Sequence, residues 1–292
     1  MTNHVRIYEV GPRDGLQNEK AIIPTDRKIA LIDLLSKAGF ERIEATSFVS
    51  PKWVPQLADA AQVMAGITRR AGTGYAVLAP NLKGFERAVE AGSDEVAVFA
   101  SASEAFSQKN INCSIAESLV RFEPVFEAAE QAGIPVRGYV SCVVVCPYSG
   151  AVAPQAVRDV ARSLRDMGCY EISLGDTVGK GTPDSIARML DTVAESVGAD
   201  HLAGHFHDTD GNALANVEVA LARGLRSFDS AIGGLGGCPY APGAKGNVST
   251  LPLVRLLEER GFSTGLDLDA LEAAERYLSD LVAGLEMSKG TS

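Results

Sequence analysis

Two of the four histidines in this 292-residue chain fall in one tripeptide, His205-Phe206-His207, and Asp208 follows it. On a strand, residues i and i+2 project to the same face, so both imidazoles enter one pocket while Phe206 points to the other side. A satisfied histidine pair at a strand end is the plainer reading, and a metal site needs further ligands from neighbouring strands. Asp14 lies just after the first apolar run, Val5–Val10, and Asn247 ends the loop after the last β-like run, Leu225–Ile232. Two imidazoles, a carboxylate and an amide oxygen form an N/O set suited to Mg2+ or Mn2+ in octahedral geometry with open positions; thiolate-rich zinc sites look different. Asp208 is adjacent but points the other way, and is kept as an outer partner of the ligands.

The segment Ile232-Gly233-Gly234-Leu235-Gly236-Gly237-Cys238-Pro239-Tyr240 has four glycines in five positions. A tight turn with positive φ needs only one or two of them. Four point to a flap that closes over substrate and carries Cys238 to the metal. No base neighbours Cys238 in sequence, which favours proton transfer over covalent catalysis without excluding either. A second Cys-Pro-Tyr, Cys146-Pro147-Tyr148, lacks the glycine surroundings and is read as structural. Arg13, beside Asp14, is either a structural ion pair or the holder of an oxygen that gains negative charge in the transition state. Glu44, at the end of the second β-like run, either orients Arg13 or moves a proton.

These groups must be brought together by an alternating framework. Helix-like segments end in a small residue and Gly, and a β-branched or aromatic run follows, at Gly39, Gly92, Gly133, Gly168 and Gly224. Gly in the left-handed conformation closes a helix, so the unit is αβ. Thr25 precedes a helical apolar spacing, Ser114 and Glu117 form a capping box, and Pro183 follows Thr182 as a first-turn proline. Pro124 predicts a kink or break within 115–132. About eight short strands are predicted, Ile134–Val145 among them. Polar residues after nearly every strand suit a closed ring better than a single crevice, so the fold class is an α/β (β/α)8 barrel. The chain reads as one domain, residues 1–292, with the barrel over about 5–260. A C-terminal extension of one or two helices covers about 261–288, and Ser288–Ser292 is expected to fray.

Composition excludes several partners. The formal net charge is -10, with 37 acidic against 27 basic residues, which argues against nucleic acid or an anionic membrane surface. No apolar run approaches a membrane span, and the N-terminus has neither a secretory nor a transit pattern, so a cytoplasmic or already processed protein is expected. Five cysteines, at 113, 142, 146, 169 and 238, follow no disulfide spacing and read as reduced thiols.

At the residues that carry the chemistry, the chain resembles the hydroxymethylglutaryl-CoA lyase family in its bacterial form. The resemblance rests on Gly11-Pro12-Arg13-Asp14-Gly15-Leu16-Gln17-Asn18-Glu19, on Glu44-Ala45-Thr46-Ser47-Phe48-Val49-Ser50-Pro51-Lys52-Trp53 and on Glu171-Ile172-Ser173-Leu174-Gly175-Asp176-Thr177. The most specific block is Gly234-Leu235-Gly236-Gly237-Cys238-Pro239-Tyr240, and the likeness runs over about residues 5–285. It implies a (β/α)8 barrel that cleaves 3-hydroxy-3-methylglutaryl-CoA to acetyl-CoA and acetoacetate in leucine catabolism. It further implies Asp14, His205, His207 and Asn247 as ligands of Mg2+ or Mn2+, and an acyl-CoA substrate. Arg13 is then the group on the thioester carbonyl, Glu44 a supporting carboxylate, Cys238 the catalytic thiol, and Asp14 or a histidine the base. A homodimer or higher homo-oligomer is expected by the same resemblance, and Lys20, Asn81 and Lys83 are candidates for CoA contact. Phe206, Asp210 and Ala231-Ile232-Gly233 depart from the family pattern without removing a catalytic position. The rival readings are a Claisen-condensing synthase of the homocitrate or isopropylmalate type, a lyase for a longer 3-hydroxy-3-alkylglutaryl-CoA, and a non-enzymatic barrel. The glycine-cysteine segment and the Gly-Pro-Arg-Asp-Gly-Leu-Gln opening favour the lyase.

Overall fold

The computed structural model describes residues 3–236 and 246–289. Eight parallel strands close into a barrel: β1 (Arg6–Glu9), β2 (Arg42–Ser47), β3 (Gly74–Leu78), β4 (Glu95–Ser101), β5 (Val136–Ser141), β8 (Glu171–Asp176), β9 (Leu202–Phe206) and β10 (Ser227–Ser230). Between β5 and β8 lies a small antiparallel hairpin, β6 (Val145–Cys146) with β7 (Gly150–Ala151). The ring order is β1-β10-β9-β8-β5-β4-β3-β2, so the first and last strands are neighbours, registered from Arg6 opposite Ser227 to Glu9 opposite Ser230. That closure places the loops after β1, β9 and β10 side by side.

Among the described residues ten helices lie between and after the strands, from α1 (Thr25–Lys37) to α10 (Leu268–Lys289). Strand parity divides the barrel wall. Val96, Val98 and Ala100 of β4, with Leu202 and Phe206 of β9, join the core shared with the helices. Full burial of each Val, Leu or Phe side chain among them contributes about 1.5–3 kcal/mol. The five glycines that punctuate the sequence, Gly39, Gly92, Gly133, Gly168 and Gly224, all take positive φ, so the turn from helix to strand is specified locally.

Much of the lumen is polar, where barrels of this class usually fill with Val, Ile and Leu. Arg137 on β5 is fully buried; its Nε donates to Glu171 at 2.7 Å and its Nη2 to Asp229 at 2.7 Å. Its guanidinium lies over the Tyr8 ring, 4.1 Å from the centroid. Glu95 accepts from the hydroxyls of Tyr8 (2.7 Å) and Tyr170 (2.9 Å) and from Arg42 Nε (3.1 Å), and Arg6 donates to Glu171. Removing one partner from such a set leaves a buried charge uncompensated, at a cost of about 3–5 kcal/mol.

One expectation is corrected and two are narrowed. The stretch from Ile134 to Val145 is not one strand: β5 stops at Ser141, Cys142 takes φ 60, and Val145 belongs to the hairpin. Pro124 does not break its helix, since α5 runs continuously over Ile115–Ala132. Pro124 and Val120 both lie on the exposed face, where water can take the carbonyl that proline leaves without a donor. The C-terminal extension is a single helix, α10, packed on α1; Ser288 belongs to it, and residues 290–292 lie outside the described residues.

Candidate active site

Arg13 and Asp14 sit in one wide helical turn, Gly11–Gly15, directly after β1. The Val10 carbonyl accepts from the amides of Arg13 (3.2 Å), Asp14 (2.7 Å) and Gly15 (3.3 Å). Such a turn is uncommon and recurs at functional sites, because it re-aims side chains. Space explains its glycines. A Cβ on Gly11 would lie 2.5 Å from Glu9 Oε1, and one on Gly15 2.7 Å from Leu235 Cβ. The turn aims Arg13 into the lumen mouth, where it is 6% exposed. Its Nε donates to Glu44 Oε2 at 2.6 Å and its Nη1 to Asp14 Oδ1 at 2.7 Å. Glu44 stands just before a bulge in β2, between Glu44 and Thr46. The Tyr139 hydroxyl donates to the same Glu44 oxygen at 3.2 Å, and the Arg13 guanidinium lies 5.5 Å from the Tyr139 ring centroid.

Across the mouth, His205 ends the inward series of β9 and His207 follows it. Backbone bridging pairs His207 with Asn247. One ligand atom from each of Asp14, His205 and His207 lies within 4.8 Å of the others. The two imidazole Nε2 atoms face each other at 3.3 Å. The Asp229 carboxylate accepts from His205 Nδ1 at 2.9 Å, which fixes the proton on Nδ1 and turns the Nε2 lone pair toward His207. Asp229 is itself held by Arg137 and by the Ser173 hydroxyl at 2.7 Å. Asn247 Nδ2 donates to Asp14 Oδ2 at 2.8 Å and to the Leu235 carbonyl at 3.1 Å, so its Oδ1 faces elsewhere, buried and without a partner. An acceptor orphaned in this way costs about 1–3 kcal/mol unless a cation or water takes it. The donor set therefore fits a divalent cation: two imidazole nitrogens, a carboxylate and an amide oxygen.

The electrostatics keep these groups in ligand form. Burial alone would raise the Asp14 carboxyl, but Arg13, then His205 and His207, bring it down to about 2. Burial and the neighbouring His205 push His207 down to about 4, against the pull of Asp14. Burial pushes Glu44 up despite Arg13. Asp229 lies well below the usual carboxylate range because Arg137 and His205 outweigh its burial. Glu9, fully buried on β1, accepts from the amides of Gly11 and Ile232 and from the Thr250 hydroxyl. It thereby ties the Arg13 turn to the turn after β10, and burial pushes it up to about 7.

Cys238 lies outside the described residues, as does Gly237. The glycines before them serve the turn itself: Gly233, Gly234 and Gly236 all take positive φ. A Cβ on Gly236 would also lie 2.7 Å from Asn247 Nδ2. This backbone requirement accounts for three glycines that sequence reading ascribed to a flap. The neck of the segment is closed at Asn247, whose amide donates to the Leu235 carbonyl at 3.3 Å. Asp208 is not an outer partner of the ligands. Its Oδ1 accepts from the Ala213 amide at 3.1 Å and so caps the start of α8 (Ala213–Ala222). The outer partner is Asp229, which sequence reading missed. Its signal was the polar residue at an inward position of an apolar strand, repeated at Arg137, Glu95 and Glu171. Cys146 is buried in the hairpin and accepts from Ser103 Oγ at 3.0 Å. Asn81 caps α3 (Leu82–Glu90), accepting from the Gly84 amide, whereas Lys20 and Lys83 are exposed.

A family model described as HMGL-like matches residues 4–278. A Pseudomonas aeruginosa protein named 3-hydroxy-3-isohexenylglutaryl-CoA/hydroxy-methylglutaryl-CoA lyase is 59% identical over 278 residues, which is 95% of this chain and 93% of that protein. The hydroxymethylglutaryl-CoA lyase of Pseudomonas mevalonii is 57% identical over 267 residues, covering 91% of this chain and 89% of its own. Among solved structures, the HMG-CoA lyase of Brucella melitensis is 60% identical with a TM-score of 0.94, over 96% of this chain and 99% of that one. An Acinetobacter baumannii HMG-CoA lyase in complex with coenzyme A and 3-methylmalate is 42% identical with a TM-score of 0.92, over 96% and 92% of the two chains.

Proposed function

The chain belongs to the HMGL-like family, and from that premise we propose that it cleaves (S)-3-hydroxy-3-methylglutaryl-CoA to acetyl-CoA and acetoacetate. The observation that carries this reading is the pair of imidazole Nε2 atoms 3.3 Å apart, bordered by Asp14 and the unpartnered Asn247 oxygen, with Arg13 beside them. Asp14, His205, His207 and Asn247 would hold Mg2+ or Mn2+, which supplies Lewis-acid polarisation of substrate oxygens.

The chain's own residues account for the rest. The C3 hydroxyl proton passes to Asp14 or to one of the imidazoles. The C2–C3 bond then breaks, its electron pair stays on C2, and C3 becomes the ketone carbon of acetoacetate. Arg13 donates to the thioester oxygen, where negative charge gathers in the enolate. Glu44 and Asp14 fix the guanidinium in two directions, so it is in place before the charge develops. Cys238 returns a proton to C2, giving the methyl group of acetyl-CoA. The family likeness supports that role; Lys20 and Lys83 remain candidates for the CoA phosphates.

A cytoplasmic setting is part of the same proposal, and the four described cysteines, all buried free thiols, suit a reducing compartment. Among the described residues no helix is long and apolar enough to cross a membrane. The test is direct: protein, Mg2+ and HMG-CoA should yield acetoacetate, and a chelator should stop it. No acetoacetate, together with condensation of acetyl-CoA onto a 2-oxo acid, would replace the lyase by the synthase reading.

A further inference from the structure

The barrel mouth has two unlike halves. The β9–β10–β1 side carries His205, His207, Asn247 and Asp14. The opposite side, from β3 to β5, carries an apolar cluster facing the lumen: Leu78, Ala97 and Tyr139 are buried, with Val49 and Phe99 packed against them. These side chains belong to the lumen, because the alternate residues Val77, Val96, Val98 and Val140 join the outer core instead. Phe99 and Tyr139 are register partners on adjacent strands. Tyr139 abuts the polar half, with its ring 6.0 Å from His205, edge-on. Within this cluster Val49 and Phe99 are half-buried, whereas Leu78, Ala97 and Tyr139 are buried, so those two offer a ligand the most surface.

We propose that Phe99 and Val49 form the wall that receives the alkyl branch at C3 of the substrate, and that Phe99 sets the length of branch admitted. The inference rests on the lyase reading. A substrate whose hydroxyl and carboxylate are held on the polar half turns its remaining C3 substituent toward the other half, and that half is apolar. The ring of Phe99 occupies the space that a longer branch needs. Its half-buried state leaves it a surface to offer and no polar partner to lose. Discrimination by one methylene or more in an apolar pocket is worth about 10–200-fold.

The experiment compares kcat/KM for 3-hydroxy-3-methylglutaryl-CoA and its 3-butyl homologue in wild type, F99A, F99L and V49F. The butyl-to-methyl ratio should rise by about tenfold or more in F99A, rise less in F99L, and fall in V49F. Because the readout is a ratio within one protein, partial loss of folded enzyme leaves it unmoved. F99L retains an apolar side chain if the alanine variant folds poorly. A wild type that cleaves the methyl compound, with an unmoved ratio in F99L and V49F, overturns the inference alone. So does an equal loss on both substrates. A wild type that cleaves neither compound overturns the lyase reading and the inference with it.

Discussion

Replacing Asp229 by asparagine removes one charge without changing shape, and the structure gives the size of the effect. Asp229 Oδ2 accepts from His205 Nδ1 (2.9 Å), Ser173 Oγ (2.7 Å) and Arg137 Nη1 (3.2 Å), and Oδ1 accepts from Arg137 Nη2 (2.7 Å). An amide has a single acceptor oxygen. With that oxygen toward His205, its NH2 group meets Arg137 Nη2, donor against donor. With the NH2 toward His205, the imidazole must carry its proton on Nε2, the nitrogen turned toward His207. A hydrogen bond to a charged group is worth about 1.5–3 kcal/mol, and outer partners of metal-binding histidines change metal affinity by about 10–100-fold. Titration calorimetry of the metal-free protein with Mn2+ should show D229N binding weaker by about 10–100-fold. Imidazole 15N shifts in the metal-free protein should move toward the Nε2–H tautomer. S173A keeps the carboxylate and should change affinity by less than about threefold. A folded D229N protein with wild-type Mn2+ affinity would refute the claim that Asp229 prepares His205 as a ligand.

H205A should lose metal in calorimetry, whereas C238A should retain it and lose turnover severely; normal turnover in C238A removes that thiol from the mechanism. R13K keeps a charge but cannot reach Glu44 and Asp14 together, so kcat should fall by about 10²–10³; an unchanged kcat in steady-state assays would show that the fork is dispensable. Glu9 is raised from 4.5 to about 7 by burial, so its proton favours the folded state below pH 4.5 and that advantage is lost as pH rises through about 7. The loss is about 3 kcal/mol, a few degrees in Tm, and E9Q should abolish this part of the pH dependence; a parallel Tm profile in E9Q would contradict it.

The part of the site that obeys local rules was legible before folding. The histidine pair follows from strand periodicity, and the closed ring from the positions of polar residues at strand ends. Asn247 was reachable because closure makes the loops after β1, β9 and β10 neighbours. The lumen network was not reachable. Arg137 and Asp229 are 92 residues apart, and nothing in either strand names its partner. Asp208 misled because adjacency in sequence was taken for adjacency to the ligands; the chain turns there, and the carboxylate caps α8 instead. The hairpin was hidden because Val143-Val144-Val145 carries β propensity on past the point where Cys142 takes φ 60 and ends β5.

The lumen ion pairs have a consequence for assembly and for sequence drift. They join the middle of the chain to its far end: Arg137 needs both Glu171 and Asp229, and Arg6 on the first strand needs Glu171. During synthesis each arginine emerges before its acids, and an arc that lacks β10 leaves Arg137 without Asp229, so the last strand completes the circuit. Divergence of these positions must likewise proceed in compensating sets, because neighbouring members of one network do not tolerate change one at a time.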